Sequence, residues 1–300
     1  MSIKLRGYKR YLLFFLVLMG MFIWAVGSIP TAGPKQAEAE AIKVFVSILP
    51  QKCFVRKIGQ DKIEVQALVG PGQNPTLYEP LPRQMADLSH ASLYFSIGVP
   101  FETAWLDRIQ ALNPHLKIVN TQQGIELRAI EGRRSDVGGE VKDPHIWLDP
   151  LLVKQQARMI YRELAAFDPK NKDFYEENLM LLLSELEALY RELEDIFTDL
   201  KTRQIMVFHP AWGYLLDRFG LKQIPIELEG KEPGPRDLAN IIETAKREDI
   251  KVIFAEAQFD TVTADSVARA IGGKVVKLDP LAEDYFANLR HVAKVILKEH

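Results

Sequence analysis

Between two stretches in which short β-rich runs alternate with helical patterns, residues 169–201 carry an uninterrupted apolar repeat, and this segment limits the chain to few architectures. Leu179, Leu182, Leu183, Leu186, Leu189, Leu193, Ile196, Phe197 and Leu200 recur at three- and four-residue spacing, while Glu185, Glu187, Arg191, Glu192 and Glu194 fill the other face. Asp168 reads as the N-cap, with Pro169 at the first helical position. The spacing predicts one amphipathic helix of about thirty residues, roughly 45 Å long at 1.5 Å per residue. A dimeric coiled-coil seam is the weaker reading, because the stripe is wider than a strict two-position seam and the repeat is short, so a monomer is expected.

On either side, strand candidates come in fours. They are 44–48, 65–69, 93–96 and 117–119 in the first half, and 205–208, 223–226, 252–255 and 274–278 in the second, where helical stretches 235–247 and 264–271 intervene. This alternation implies wound α/β layers with parallel strands, and no sequence-level repeat relates the halves. The expected fold is α/β, with two lobes, each a mainly parallel sheet flanked by helices, joined by one long backbone helix. The expected boundaries are 1–41 for a signal peptide and linker, 42–167 for an N-terminal lobe, 168–201 for the interlobe helix and 202–300 for a C-terminal lobe. A single helix joining two lobes limits hinge motion more than flexible strands do, so closure should be modest.

With 300 residues, 47% of them hydrophobic, the chain can bury a large core, and the length is a prior for about two domains. A net charge of -2 and a pI near 6.3, with acidic and basic residues well mixed, supply no broad basic field, which argues against a nucleic-acid partner. Lys4, Arg6, Lys9 and Arg10 precede an apolar run over 11–26, and Ala37, Ala39 and Ala41 follow it with A-x-A sites. This reads as a cleavable signal peptide that exports the protein to a periplasmic or extracytoplasmic location. An uncleaved anchor is the alternative, since the run nearly reaches the roughly 17 residues of the shortest membrane spans. Cys53 lies past the hydrophobic region and away from any cleavage junction, so the signal reads as non-lipidated, no internal disulfide can form, and a small core residue is expected.

Of six histidines, two stand out. His145 lies in Asp143-Pro144-His145-Ile146-Trp147-Leu148-Asp149-Pro150, where flanking prolines and a tryptophan hold a defined loop before a helix. His209 follows the apolar strand 205–208 and precedes Pro210, so it sits past a strand's carboxyl end, the edge at which open parallel sheets gather ligands. Asp279 holds the equivalent place after 274–278. Two imidazoles and a carboxylate make a candidate metal set, because neutral imidazole suits Zn(II) and the carboxylate compensates the dication. Taken singly, each has a plainer reading, a loop-capping histidine or an Asp-Pro turn former. His90 and His291 fall in helical patterns, His115 in an Asn-Pro-His turn and His300 at the terminus, where packing or surface roles are expected.

These residues resemble those of the metal-binding solute-binding proteins of ABC importers, the TroA-like, zinc-uptake type, through nearly the whole mature chain. The stretch from Val69-Gly70-Pro71 through Asn74-Pro75-Thr76-Leu77-Tyr78-Glu79-Pro80 looks like the family's first-ligand loop. Ile97-Gly98 with Phe101-Glu102 and Trp105-Leu106 looks like the strand and helix after it, and Asp143 to Pro150 like the second-ligand loop. His209 with Trp212-Gly213-Tyr214 resembles the third, Gly230-Lys231-Glu232-Pro233 the segment after it, and Leu278-Asp279-Pro280-Leu281 the fourth. The resemblance implies His145 from the first lobe and His209 and Asp279 from the second as ligands across an interlobe cleft, with an ABC permease as partner. A histidine at the third place is associated with zinc in this family and glutamate with manganese, which agrees with ligand softness. Zn2+ is therefore the expected ion, with Mn2+ or Fe2+ as alternatives.

The sequence departs from the family at the first ligand, where Thr76 stands in place of a histidine. A neutral hydroxyl is a poor zinc ligand, so the site should use three good ligands plus water, a bidentate Asp279, or a carboxylate borrowed from Glu79. Weaker or faster-exchanging binding is expected. The connection 129–142, where zinc-type members often carry a long histidine-rich loop, is short and holds Arg133 and Arg134 but no histidine, so scavenging by that loop is not expected. Glu256 is a candidate to contact the site directly or through a ligand, the plainer reading being a charge at a strand end. Glu229 and Glu232 read as solvated or interlobe pairs. Histidine ligation would make binding weaken as pH falls through the imidazole range near about 6.5.

Reversible capture of a divalent metal for a membrane permease is thus the leading reading, and not an enzyme, because no positioned general base or cosubstrate motif accompanies the set. Two alternatives stay open. One is a metal-dependent hydrolase or oxygenase built on the two-histidine, one-carboxylate set. The other is a degenerate adhesion or interaction module that has lost its metal.

Overall fold

A computed structural model describes residues 41–134, 140–227 and 231–299. The expected leader over the first forty residues, and the readings of Glu229, Gly230 and His300, lie outside the described residues.

Eight parallel strands form two four-stranded sheets. The first contains β1 (Ile42–Val46), β2 (Ile63–Ala67), β3 (Leu93–Ser96) and β4 (Lys117–Asn120) in the order β2-β1-β3-β4. The second contains β7 (Gln204–Val207), β8 (Lys222–Pro225), β9 (Val252–Glu256) and β10 (Lys274–Leu278) in the order β10-β9-β7-β8. In each sheet the second strand in sequence pairs with one side of the first and the third with its other side, so the halves share a topology that their sequences do not display. Ligands of open parallel sheets gather at the carboxyl ends of the strands near such a reversal. An antiparallel hairpin, β5 (Ala129–Arg134) and β6 (Glu140–Lys142), lies between the halves in sequence. It was not expected from the sequence, which reads there as a plain connection.

In the first half, helices α1 (Leu49–Gly59), α2 (Pro82–Leu88) and α3 (Pro100–Leu112) follow β1, β2 and β3. In the second half, α6 (Gly213–Arg218), α7 (Pro235–Arg247) and α8 (Val262–Ile271) do the same for β7, β8 and β9. Helices α4 (Pro150–Phe167) and α5 (Lys172–Thr198) pack as an antiparallel pair, and the C-terminal helix α9 (Tyr285–Glu299) packs along α5. Helix α5 starts later than the sequence suggests. Pro169–Asn171 forms a tight 3-10 turn, and the Asp168 carboxylate accepts from Asn171 Nδ2 at 2.6 Å and Tyr175 Oη at 2.8 Å instead of capping helical amides. His90, expected in a helical pattern, lies in the turn after α2.

The stripe Leu179, Leu182, Leu186, Leu189, Leu193 and Phe197 of α5 is buried, as its spacing predicts. One apolar cluster runs from Val44 of β1 through this stripe to Val207 of β7 and Ile296 of α9, so both halves share a core. Phe54 of α1 meets Tyr285 of α9 edge to face, with ring centroids 4.8 Å apart, and the last helix thereby returns to the first half. A smaller cluster of Met206, Phe208, Ile253 and Val267 fills the other face of the second sheet. Cys53 is buried in the shared core, as expected. Among the described residues no helix is long and apolar enough to cross a membrane.

Candidate metal centre

The carboxyl ends of the strands open into a cleft of about 640 Å³ whose walls come from both halves, including Thr76, His145 and Trp147 on one side and His209, Gln258 and Phe259 on the other. His145 is placed by its own loop. Asp143 Oδ1 accepts from the His145 backbone N–H at 2.9 Å and pairs with its ring Nδ1 at 2.6 Å. Past the 3-10 turn Ile146–Leu148, Asp149 caps α4 by accepting from Leu151 N at 2.8 Å, with Pro150 at the first helical position. Trp147 is buried, and its indole Nε1 donates to Pro280 O at 2.8 Å.

His209 stands two residues past β7, and its Nδ1 pairs with Glu227 Oε2 at 2.6 Å. Its backbone N–H donates to Glu256 Oε2 at 3.1 Å, and the other Glu256 oxygen accepts from Trp212 Nε1 at 3.0 Å. Phe259 stacks on the His209 ring with centroids 4.9 Å apart. Burial pushes the fully enclosed Glu256 carboxyl up to about 7, opposed by His209 beside it and by the hydrogen bonds it accepts.

In both histidines the carboxylate at Nδ1 selects the tautomer that carries its proton there, which leaves a lone pair on Nε2. The two Nε2 atoms face each other across the cleft at 3.4 Å. Two unprotonated Nε2 atoms cannot hydrogen-bond to each other, and a proton or a metal cation shared between them satisfies both. Two imidazole nitrogens on one tetrahedral zinc at about 2.0–2.1 Å stand about 3.3 Å apart, which is the separation seen.

The remaining candidates are placed differently. Asp279 follows β10, but its Oδ1 accepts from Gln258 Nε2 at 2.7 Å and from Leu281 N at 2.8 Å. It therefore lies one hydrogen bond behind the cleft wall that Gln258 forms. Among the described residues, no group of three or more His, Cys, Asp or Glu side chains is gathered closely enough to hold a metal ion. Thr76 lines the cleft and is exposed, its backbone N–H donating to Asn74 Oδ1 at 2.8 Å. Glu79 is exposed and is not among the residues lining the cleft. Glu256 supports His209 from behind, through the backbone. Sequence reasoning missed the orienting roles of Asp143 and Glu227, although Asp143 lies two residues before His145 and Glu227 just past the carboxyl end of β8, the placement that singled out His209.

The chain is 28% identical over 282 residues to the high-affinity zinc uptake system protein ZnuA of Bacillus subtilis (strain 168), covering 90% of this chain and 88% of that protein. It is 27% identical over 314 residues to the manganese ABC transporter substrate-binding lipoprotein PsaA of Streptococcus pneumoniae, covering 95% and 97%. Among solved structures, a crystal structure of ZnuA superposes with a TM-score of 0.83 at 44% identity, covering 87% of this chain and 99% of that one. The laminin-binding protein Lmb of Streptococcus agalactiae, described as bifunctional with adhesin and metal-transporting activity, superposes at 0.77 with 27% identity, covering 87% and 99%. Residues 44–299 match the family described as zinc-uptake complex component A, periplasmic, and the chain belongs to that family.

Proposed function

We propose that the protein is the extracytoplasmic receptor of an ABC importer, which captures a divalent transition metal, zinc in first place, and hands it to a membrane permease. The observation that carries this reading is the 3.4 Å separation of two Nε2 atoms, each ring held by a carboxylate on its own Nδ1. An imidazole pair of this span fits the edge of a zinc tetrahedron and favours zinc over the oxygen-preferring manganese. The proposed ligands are His145, His209 and Asp279, drawn from an N-terminal lobe over 42–167 and a C-terminal lobe over 202–300 on either side of the helical segment 168–201. Asp279 joins when it exchanges Gln258 and Leu281 N for the metal, and water completes the shell at the place where Thr76 offers only a hydroxyl.

In this reading the protein is a monomeric receptor and not an enzyme, with the signal peptide delivering it outside the cytoplasm. Calorimetric titration of metal-free protein with Zn(II) and Mn(II) tests it. One zinc per chain is expected, bound more tightly than manganese and lost in His145→Ala and His209→Ala. Absence of zinc binding, or turnover of a substrate by the metal-loaded protein, would overturn the reading.

A further inference from the structure

A guanidinium from outside the loop that carries His145 faces the carboxylate behind that histidine. Arg128 stands immediately before β5, and its side chain is largely enclosed, 19% exposed, against residues of the second half. Nη2 lies 3.1 Å from Asp217 Oδ2 and also pairs with Glu131, whose other oxygen accepts from Gln223 Nε2. Nη1 lies 4.0 Å from Asp143 Oδ2. The Arg128 backbone N–H donates to Tyr214 Oη at 3.0 Å, and that hydroxyl donates to the Asp143 carbonyl at 2.9 Å. The Asp143 N–H in turn donates to the Arg128 carbonyl at 2.9 Å.

Position 213 shows how closely the guanidinium is seated. A Cβ built on Gly213 would stand 1.5 Å from Arg128 Nη1 and 2.6 Å from its Cζ, so the arginine occupies the space a side chain would take. Asp143 is fully buried, and with Oδ1 committed to the His145 backbone and ring, the charge facing Oδ2 is Arg128. A buried charged group is costly unless a partner of opposite charge faces it, and the seat of the guanidinium beside Gly213 puts Arg128 in that place. The chain of contact therefore runs from α6 and β8 through Arg128 to Asp143 and on to His145 Nδ1.

We propose that Arg128 is a positioning residue of the metal site: braced by the second half of the chain, it fixes Asp143, and through Asp143 the orientation and tautomer of His145, so that metal affinity depends on a residue that does not touch the metal. The proposal rests on the reading of His145 as a ligand. Ordinary bracing between the halves is the competing explanation, and the structure supplies its control. Arg218 of α6 reaches Asp149 with Nε at 2.9 Å and Nη2 at 2.6 Å, joining the same halves at the cap of α4 without engaging Asp143.

The test compares full-length wild type with Arg128→Met, Arg128→Lys, Gly213→Ala and Arg218→Met. Three measurements are made: zinc affinity by competition with a chromophoric chelator, the thermal midpoint of the metal-free protein, and the His145 ring-nitrogen NMR shifts without metal. Arg128→Met should weaken zinc measurably, by no more than the roughly 10–100-fold that loss of a direct partner of a ligating histidine costs. It should also turn the His145 shifts from a single Nδ1–H tautomer into a mixture. Arg128→Lys should restore the affinity only in part, because a point charge cannot fork to Asp143 and Asp217 together. Gly213→Ala displaces the guanidinium while keeping its charge and should reproduce the Met variant, so it decides the question if that variant does not fold. Arg218→Met should lower the thermal midpoint and leave zinc affinity unchanged.

Unaltered His145 shifts in both Arg128→Met and Gly213→Ala would overturn the proposal, as would equal zinc losses in Arg128→Met and Arg218→Met. A wild-type protein that takes no zinc would sink the functional reading, while the nitrogen shifts would still decide the role of Arg128.

Discussion

Trp147 and Pro280 tie two loops of the cleft together: the buried indole Nε1 donates to the Pro280 carbonyl at 2.8 Å, joining the segment that carries His145 to the one that carries Asp279. Trp147→Phe keeps most of the apolar contact and leaves a buried carbonyl without its donor. Such a group costs about 1–3 kcal/mol, which denaturant unfolding should read as a lowered midpoint. Zinc affinity should fall as well, because the carboxylate loop loses its tether to the imidazole loop. A variant with wild-type stability and affinity would show that the bond does not couple them.

Zinc affinity should suffer more from loss of either histidine than from loss of the carboxylate that orients it. Glu227→Gln leaves His209 in place but loosens its tautomer, and a drop in zinc affinity of about 10–100-fold is expected. His209→Ala and His145→Ala remove a proposed ligand outright and should cost more than that, by competition titration. If Glu227→Gln proves as damaging as His209→Ala, the role of Glu227 is more than orientation.

Thr76 is where affinity can be raised. It lines the cleft on an exposed loop, so a larger side chain meets open space before it meets the core. Thr76→His should supply a further imidazole, tighten zinc and slow its release in a stopped-flow chelator chase. Equal affinity and equal release rates for variant and wild type would discard the idea that threonine weakens the site.

The parallel strands and the long helix are legible in the sequence because their signals are local: β-branched runs end at turn residues, and the leucine stripe from Leu179 to Leu200 keeps its period for about six turns. The hairpin β5–β6 gives no such signal, since Ala-Ile-Glu-Gly-Arg-Arg has no alternation and its pairing is made only in three dimensions. The helix start at Lys172 is set by a side-chain pairing between Asp168 and Tyr175 that spacing alone cannot reveal. The site divides in the same way. Strand-end placement picks out His209, which the fold brings to His145, and by the same rule Asp279. The Asp279 carboxylate accepts from the Leu281 N–H two residues on, a local turn contact that strand-end placement does not reveal. Arg128 escapes notice because its meaning depends on Gly213, Asp217 and Asp143, which the fold alone brings together.

Cys53 should be silent in the native protein. It is buried against Tyr285, and burial pushes its thiol up, opposed by a hydrogen bond from the Tyr285 backbone and by Lys57 and Arg56. The thiolate is the reactive form, so both its scarcity and its enclosure slow attack. A thiol reagent should label Cys53 only at the rate of unfolding, and at once in denaturant. Rapid labelling of native protein would show that the contact between α1 and α9 opens locally.

Glu102 supplies a pH signature that is independent of the metal. Its carboxylate is buried at the start of α3, where Oε1 accepts from Ile97 N at 2.9 Å and from the Ser47 hydroxyl, and Oε2 accepts from Gly98 N at 2.8 Å. Burial raises its pKa, and the three hydrogen bonds only partly oppose the shift. A carboxyl whose folded pKa lies above its unfolded one holds its proton more tightly in the native state. Ionising it therefore works against folding: as pH rises from the ordinary carboxylate range through the raised folded value, this group removes stability, and as pH falls back the stability returns. Glu102→Gln carries no proton to exchange, so the difference in unfolding free energy between wild type and variant isolates the effect from every other titrating group. That difference should shift steadily against wild type as pH rises through the window and level off above it. A difference that stays flat from acid to neutral pH would mean that the backbone donors at Ile97 and Gly98 hold Glu102 ionised despite its enclosure.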